Sequence, residues 1–304
     1  MSAGAGRALA GAAAHFDTLA RRRGNARGVR LMVAGMACFI VNDTLVKVAS
    51  SSLPAGQLIF VRGLMATVLV LAVMRLTRVP LVPRQLATGW VPVRATLDAM
   101  ATLCYLVSLF HLPLANATAI NMATPLVITA LSVWWLRERV GPQRWLAIAA
   151  GFAGVLLVIQ PRGEGFNAFA WLCLLATVLH ALRDLATLRI RGEVPSLTVT
   201  LATAVAVTLW SLALSLGQGW VPMRAPQLAL LAAAAVFLAG GYQLVIAATR
   251  AGELSVVAPF RYSGLVMAVM LGYVVWGDVP NGLAWAGIAL VLATGLTLMR
   301  QGSR

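Results

Sequence analysis

The sequence predicts an all-α integral membrane protein whose ten transmembrane helices form two inverted five-helix repeats. Three observations lead to this fold class. Of 304 residues, 60% are hydrophobic and only 11% charged, with a mean hydropathy of +0.86, which leaves too few polar residues to cover a soluble globule. Apolar runs of about 20 residues, the length that a helix needs to cross a bilayer, recur along the chain. Short motifs also repeat after about 140 residues.

The predicted spans are separated by short connections that contain proline or glycine, which interrupt helices. The ten spans are 31–50, 54–75, 87–111, 114–136, 143–160, 167–188, 195–216, 226–249, 254–276 and 281–299. The first five make a repeat over 31–160, the last five make a repeat over 167–300, and no soluble domain remains. Residues 1–30 are rich in Ala, Gly and Arg and lack the apolar segment of a secretory signal. We expect them to be a loosely ordered cytoplasmic tail.

The basic residues set the predicted orientation. Outside the spans, 17 Lys and Arg residues fall on the side that carries the N-terminus and only two, Arg162 and Arg224, on the other. Under the positive-inside rule this bias places both termini in the cytoplasm. Despite the net charge of +15, the bases lie singly between apolar runs and form no continuous basic face, so nucleic acid is not an expected partner.

The two repeats are visible in matched motifs. The segments NDTLVKVASSSLP and RDLATLRIRGEVP place Asp43 and Asp184 eleven residues before a proline, at an offset of 141. Glu138 and Asp278 each stand seven residues before a tryptophan, at an offset of 140. Because each repeat has an odd number of spans, the second enters the membrane from the opposite side, which is the plan of many secondary transporters.

Eight ionisable residues fall within the predicted spans and form the site hypothesis. They are Asp43, Lys47, Arg62, Arg94, Asp98, Arg183, Asp184 and Arg261. Charges inside a membrane are costly and usually face the bundle interior or a wet cavity. Five bases against three acids give a cavity near +2, which favours a substrate that bears a carboxylate or phosphate.

Among these eight residues, two pairs are spaced four residues apart along the sequence. Asp43 and Lys47 therefore share one helix face, as do Arg94 and Asp98. Each pair can be a structural ion pair that neutralises itself. Alternatively, one carboxylate binds a coupling proton or a substrate amine while its basic neighbour tunes its affinity for the proton. Both alternatives stay open, and Asp43 is favoured as the functional carboxylate.

The remaining candidates lack an obvious partner on their own helices. Arg62 and Arg261 can each clamp a carboxylate of another helix, such as Asp98 or Asp184, or bind an anionic substrate group. For Arg62 the structural role is favoured, and Arg261 is the better substrate candidate. The other polar or aromatic candidates are Asn121, His180, Tyr242 and Tyr262. His180 is three residues from Arg183 and four from Asp184, so these can cluster, although a helix–helix hydrogen bond is an equally simple role.

Four motifs together resemble a known family: QLIFVRGL, HLPLANATAINMATPLV, LRERVGPQRWLAIAAGFAGVLLV and APFRYSGLVMAVMLGYVVWGDVP. Over residues 31–300 the chain resembles the drug/metabolite transporter (DMT) superfamily, ten-helix EamA type. The resemblance implies two inverted repeats, a central cavity formed mainly by helices one, three, four, six, eight and nine, and no ATPase. Asp278 departs from the family, in which Glu is common at that position.

The sequence therefore predicts a secondary transporter of the bacterial inner membrane. We expect it to export amino acids or related carboxylates by alternating access, with proton coupling a further option; the alternative within this class is uptake of a nucleotide-like or flavin-like metabolite. A polytopic membrane enzyme is the rival class, and HExxH and GxSxG motifs are absent from the sequence. No catalytic residue, metal or cofactor is expected. The expected partners are a small-molecule metabolite and the lipid bilayer, and the small residues of AAGFAG also suit a homodimer.

Overall fold

A computed structural model describes residues 2–135, 141–160, 167–190 and 194–302. In these ranges every regular element is a helix. The helices are α1 (Ser2–Ser50), α2 (Ala55–Leu76), α3 (Pro83–Leu86), α4 (Val91–His111), α5 (Leu114–Asn121), α6 (Thr124–Trp135), α7 (Pro142–Ile159), α8 (Phe169–Thr187), α9 (Ser196–Ser215), α10 (Ala225–Ala251), α11 (Leu254–Val257), a 3₁₀-helix (Ala258–Tyr262), α12 (Ser263–Trp276) and α13 (Gly282–Gly302).

Most of these helices are long and apolar enough to cross a membrane. Eight helical segments meet both conditions within the described residues. Two shorter apolar helices, Trp145–Ile159 and Gly282–Thr297, coincide with the predicted fifth and tenth spans. The prediction of an all-α, multi-pass membrane protein is confirmed.

The N-terminal region differs from the expected loose tail, because α1 is helical from Ser2 onward. Alanine and arginine, which dominate this region, are both strong helix formers. Only the part from Arg23 to Ser50 is apolar enough to be a membrane span. This part is docked on α10: a Cβ atom at Gly24 would lie 2.7 Å from the Ala251 carbonyl oxygen, and Asn25 Oδ1 accepts a hydrogen bond from Glu253 N at 2.7 Å.

The fourth and ninth predicted spans are interrupted rather than continuous. Between α5 and α6, Pro125 has no N–H to donate to the Asn121 carbonyl, and that carbonyl accepts a hydrogen bond from Thr124 Oγ1 at 2.6 Å instead. In the ninth span, Pro259 lies in the 3₁₀-helix that separates α11 from α12. Proline-interrupted helices at corresponding positions of two halves are a pointer to a transporter's binding site.

Helix packing brings the interrupted spans and the charged residues together. Helix α1 packs along α10, α4 along α8, α2 along α9 and α7 along α13, while α5 contacts both α8 and α12. Glycines permit the closest approaches: a Cβ atom at Gly287 in α13 would lie 2.5 Å from the Gly154 carbonyl oxygen in α7. As a result, α1, α4, α5, α8 and α10 surround the central polar residues.

The QLIFVRGL motif has a structural role at the start of α2. The buried Gln57 side chain donates through Nε2 to the Val221 carbonyl at 2.7 Å and accepts through Oε1 from Val221 N at 2.9 Å. Gln218 Oε1 accepts a hydrogen bond from Gly56 N at 2.8 Å. These bonds hold α2 against the α9–α10 connection and so position Arg62 further along the same helix.

Candidate functional site

The first polar cluster comprises Asn42, Asp43, Arg62 and Tyr105. Asp43 Oδ1 accepts from Asn42 Nδ2 at 2.9 Å, and its Oδ2 accepts from the Tyr105 hydroxyl at 2.8 Å. Arg62 Nη1 donates to Asn42 Oδ1 over a long 3.5 Å. The Asn42 amide therefore stands between a carboxylate and a guanidinium, which form no direct ion pair in the described part of the chain.

The first cluster leaves hydrogen-bonding capacity on both charges. Arg62 is only 6% exposed, and a guanidinium carries five N–H donors, yet its one hydrogen bond to described residues is the long bond to Asn42. Asp43 is half-buried. A buried cation without a direct counter-ion is costly, so an anionic group from a ligand would stabilise Arg62. The cluster can thus hold the positive and the negative group of one molecule side by side.

The second polar cluster comprises Arg94, Asp98, Arg183 and Asp184, and its charges are paired. Asp98 lies 2.8 Å from Arg183 Nη1 through Oδ1 and 3.4 Å from Arg94 Nη1 through Oδ2. Arg183 Nη2 also lies 2.7 Å from Asp184 Oδ1. The predicted Arg94–Asp98 pair is confirmed as part of this larger network.

The second cluster also joins three helices. Arg94 donates to Thr187 Oγ1 of α8 at 3.1 Å and to Thr203 Oγ1 of α9 at 2.5 Å. Of the two roles left open for Arg62 and Arg261, a clamp on Asp98 or Asp184 is not seen among the described residues, because Arg183 on α8 pairs with both carboxylates. This saturated network connects α4, α8 and α9.

Lys47 lies apart from Asp43, so the predicted pairing of these two residues is wrong. Its Nζ donates to the Leu112 carbonyl at the end of α4 and lies 4.9 Å from the centroid of the Trp276 ring. The carbonyls at a helix C-terminus lack intrahelical partners and carry partial negative charge, which favours a lysine there. The long Lys47 side chain reaches this helix end, whereas the short Asp43 side chain stays beside Tyr105.

His180 contacts the interrupted fourth span rather than the charged residues of its own helix. Its Nδ1 lies 2.9 Å from Asn121 Oδ1 at the end of α5. On the same face of α8, Thr177 Oγ1 donates to the Ile120 carbonyl at 3.3 Å. Of the two roles left open for His180, the structure shows the helix–helix hydrogen bond, which joins α8 to the end of α5 at the break before α6.

Tyr242 on α10 packs against Phe39 on α1. Their ring centroids are 5.1 Å apart at an interplanar angle of 78°. Tyr242 is nevertheless 46% exposed, so the contact with Phe39 covers only part of its side chain.

The two candidates in the interrupted ninth span differ in exposure. Arg261 lies in the 3₁₀-helix and is exposed, so its expected place among the buried charges is wrong, while its role as a substrate candidate stays a prediction. Tyr262 is buried, and its hydroxyl has no hydrogen-bond partner among the described residues. That hydroxyl packs against α13 at Gly295, where an added Cβ atom would lie 1.7 Å from it.

Three residues in or beside the first cluster were not among the predicted site residues: Asn42, Phe39, and Tyr105 as the hydrogen-bond donor to Asp43. Asn42 directly precedes Asp43, and Phe39 stands four residues before it on the same helix face. Both signals are present in the sequence FIVND. The role of Tyr105 needs the tertiary structure, because 62 residues separate it from Asp43.

A separate cavity of about 210 Å³ lies at the bundle end that contains Pro113. Its lining includes Asn116, Gln160 and Asp278. No member of either polar cluster lines it.

Comparisons with known proteins agree with this architecture. The chain is 31% identical to a riboflavin transporter of Rhizobium johnstonii over 69% of this chain and 70% of the relative. It is 29% identical to a pseudopaline exporter of Pseudomonas aeruginosa over 90% of this chain and 96% of the exporter.

A solved crystal structure matches at a TM-score of 0.60 and 20% identity, covering 90% of this chain and 99% of its own, which shows a shared fold. The sequence pattern of the EamA-like transporter family matches residues 26–160, and the DMT-type relatives match most of the chain. The chain therefore belongs to the EamA-like transporter family of the drug/metabolite transporter superfamily.

Proposed function

We propose that this protein is a secondary transporter of the bacterial inner membrane that exports a small zwitterionic metabolite, an amino acid or a related amino-carboxylate. The observation that carries the proposal is the placement of Asp43 and Arg62 on either side of the Asn42 amide. A substrate carboxylate would bind Arg62 through two parallel N–H donors. Its ammonium group would bind Asp43.

A zwitterion suits this arrangement better than a simple anion does. An anion would neutralise Arg62 but would leave the Asp43 carboxylate as an uncompensated and repelling charge. A zwitterion satisfies both buried charges at once and enters the membrane interior with no net charge. Buried charges are costly unless they are paired in this way.

Asp43 also provides a means of coupling substrate transport to proton movement. One carboxylate can hold a proton or a substrate ammonium, but not both together. Export in exchange for protons follows if the substrate ammonium displaces the proton from Asp43 on one side of the membrane and a proton displaces the ammonium on the other side. The similarity to an exporter over 96% of its length supports outward movement.

Alternating access would follow from two five-helix halves of opposite orientation, residues 31–160 and 167–300, with both termini in the cytoplasm. The helix pairs support this arrangement. The first span of each half packs on the third span of the other, as α1 does on α10 and α8 on α4. Thr67 and Thr208, at the repeat offset of 141 residues, lie 3.3 Å apart between their hydroxyl oxygens.

The second candidate function is uptake of a flavin-like or nucleotide-like metabolite. The similarity to a riboflavin transporter favours it. Such a substrate needs no ammonium group, so the contribution of Asp43 separates the two candidates.

The test is transport by the purified full chain in proteoliposomes. Radiolabelled amino acids and riboflavin would be offered to the wild type and to the variants Asp43→Asn, Arg62→Gln and Asp184→Asn. We expect amino-acid transport to fall at least about tenfold in the first two variants, which corresponds to one lost charged contact.

The matched control is Asp184→Asn, whose side chain is 41% exposed and remains outside the first cluster; it should retain most of the transport. Asp43→Asn should also abolish the pH dependence of residual transport, because the exchanging carboxylate is gone. Transport of riboflavin alone, unaffected by Asp43→Asn, would replace the first candidate with the second.

A further inference from the structure

Three arginines form a stripe along the start of the first membrane span. Arg23, Arg27 and Arg30 are spaced four and three residues apart within α1, so they share one face of that helix. All three side chains are exposed. This arginine stripe is an exception to the scattered bases in the rest of the chain.

Glycines on a different face of α1 hold the same segment against α10. A Cβ atom at Gly24 would lie 2.7 Å from the Ala251 carbonyl oxygen, and one at Gly28 would lie 3.0 Å from the Ala248 carbonyl oxygen. At 3.6 residues per turn, these glycines lie roughly 110° around the helix from the arginine stripe. The close packing therefore fixes the rotation of α1 and leaves the stripe uncovered.

The arginine stripe has no counter-ion within the described residues. The bases of the ion pairs in that part of the chain are Arg94 and Arg183, both far from this end of α1 in sequence. Each guanidinium carries five N–H donors. The one hydrogen bond from the stripe to a described residue runs from Arg30 Nε to the Ala26 carbonyl, at 3.4 Å. Most of its donors are thus available to an anionic group.

The neighbouring end of α10 adds to the positive charge. Arg250 lies in the last turn of α10, is exposed and directly precedes Ala251, on which Gly24 packs. Glu253 is also exposed; its backbone N–H bonds to Asn25, and its carboxylate forms no ion pair within the described residues. Four arginines against one glutamate give this end of the two helices a net charge of +3.

The stripe lies at the depth of the lipid headgroups. The first span, Arg23–Ser50, has 28 residues and is roughly 42 Å long at 1.5 Å per residue. The hydrocarbon core of a bilayer is roughly 30 Å thick and is crossed by about 20 residues, which the apolar run 31–50 supplies. Residues 23–30 therefore extend beyond the hydrocarbon core into the headgroup layer.

We propose that the arginine stripe binds the phosphate headgroups of anionic phospholipids of the phosphatidylglycerol type. A guanidinium binds phosphate oxygens through two parallel N–H donors, and groups of four or more bases at the end of a membrane helix are typical of anionic-lipid binding. The positive-inside rule alone requires positive charge on one side of the membrane, but no common helix face. This inference is independent of the transported substrate.

The experiment is native mass spectrometry of the full chain in detergent, titrated with phosphatidylglycerol and with phosphatidylcholine of the same acyl chains. The wild type should bind phosphatidylglycerol more tightly. The triple variant Arg23→Gln, Arg27→Gln, Arg30→Gln should weaken phosphatidylglycerol binding by at least roughly tenfold, since one arginine near an anionic surface contributes roughly fivefold. Phosphatidylcholine binding should not change. The same three positions changed to Lys keep the charge but lose the paired donors, so binding should fall by less.

The matched control is the triple variant Arg75→Gln, Arg78→Gln, Arg84→Gln, which removes three exposed arginines from the same predicted side of the membrane. It should keep the preference for phosphatidylglycerol. Size-exclusion chromatography checks folding, and the single variant Arg27→Gln, with an expected loss of roughly threefold to fivefold, replaces the triple variant if that does not fold. Equal binding of the two lipids by the wild type, an unchanged preference in a folded stripe variant, or equal losses in the two triple Gln variants would overturn the proposal.

Discussion

Replacing Asp98 with asparagine would remove the one negative charge that lies between Arg94 and Arg183 while keeping the shape of the side chain. Asp98 contacts both guanidinium groups, at 3.4 Å and 2.8 Å, and its side chain is 6% exposed. Removing one partner from a buried ion pair typically costs about 3–5 kcal/mol. Arg183 would keep Asp184, and Arg94 would keep its two threonine partners. We therefore expect a loss near the lower end, about 3 kcal/mol.

The assay is reversible unfolding in mixed detergent micelles, followed by tryptophan fluorescence, for the wild type and two matched variants. Asp184→Asn is the control, because Asp184 contacts the same Arg183 guanidinium at 2.7 Å but its side chain is 41% exposed. An exposed ion pair contributes only about 0–1 kcal/mol. Equal free energies of unfolding for Asp98→Asn and Asp184→Asn would refute the reasoning that burial of Asp98 makes the second cluster structural.

Three further predictions concern Lys47, the contact between Gly295 and Tyr262, and the membrane topology. Lys47→Met should lower the free energy of unfolding by about 1–3 kcal/mol, because the Leu112 carbonyl loses its hydrogen-bond donor. Lys47→Arg should lower it less. Equal losses for the two variants in the same unfolding assay would contradict the role of Lys47 as the donor to that carbonyl. Gly295→Ala should destabilise the wild type by about 1–3 kcal/mol through overpacking, since the new Cβ atom would lie 1.7 Å from the Tyr262 hydroxyl. In a Tyr262→Ala background the same change should be nearly neutral, and a full effect there would disprove the clash. Reporter fusions near residue 78 and at the C-terminus should be cytoplasmic, and fusions near residues 113 and 222 periplasmic; a periplasmic C-terminus would overturn the ten-span topology.

Much of the fold could be predicted because a bilayer imposes a simple rule on sequence. A membrane helix must satisfy its own backbone and present apolar side chains over about 20 residues, so spans appear as long apolar runs. Breaks inside a span are harder to predict. Pro125 and Pro259 were visible in the sequence, but the runs around them stay apolar, and only the folded chain shows that the helix ends at Asn121 and becomes a 3₁₀-helix at Ala258.

The site could be predicted only as a set of charged residues. Hydropathy shows that Asp43, Arg62, Arg94 and Asp98 cannot face lipid, and helical periodicity identifies the Arg94–Asp98 pair, which lies on a single helix. The same periodicity failed for Asp43 and Lys47, since a shared helix face fixes the position of Cβ atoms and not the direction of a long side chain.

The partners that decide the chemistry come from distant parts of the chain. Tyr105 on Asp43, Arg183 on Asp98 and Tyr242 on Phe39 each join helices that are 62 or more residues apart. Such contacts depend on how helices pack and rotate against one another, which local sequence patterns do not encode. The sequence by itself thus determined a membrane protein with charges in its interior. Tertiary packing alone decided which charges neutralise each other and which, at Asp43 and Arg62, form no direct ion pair within the described residues.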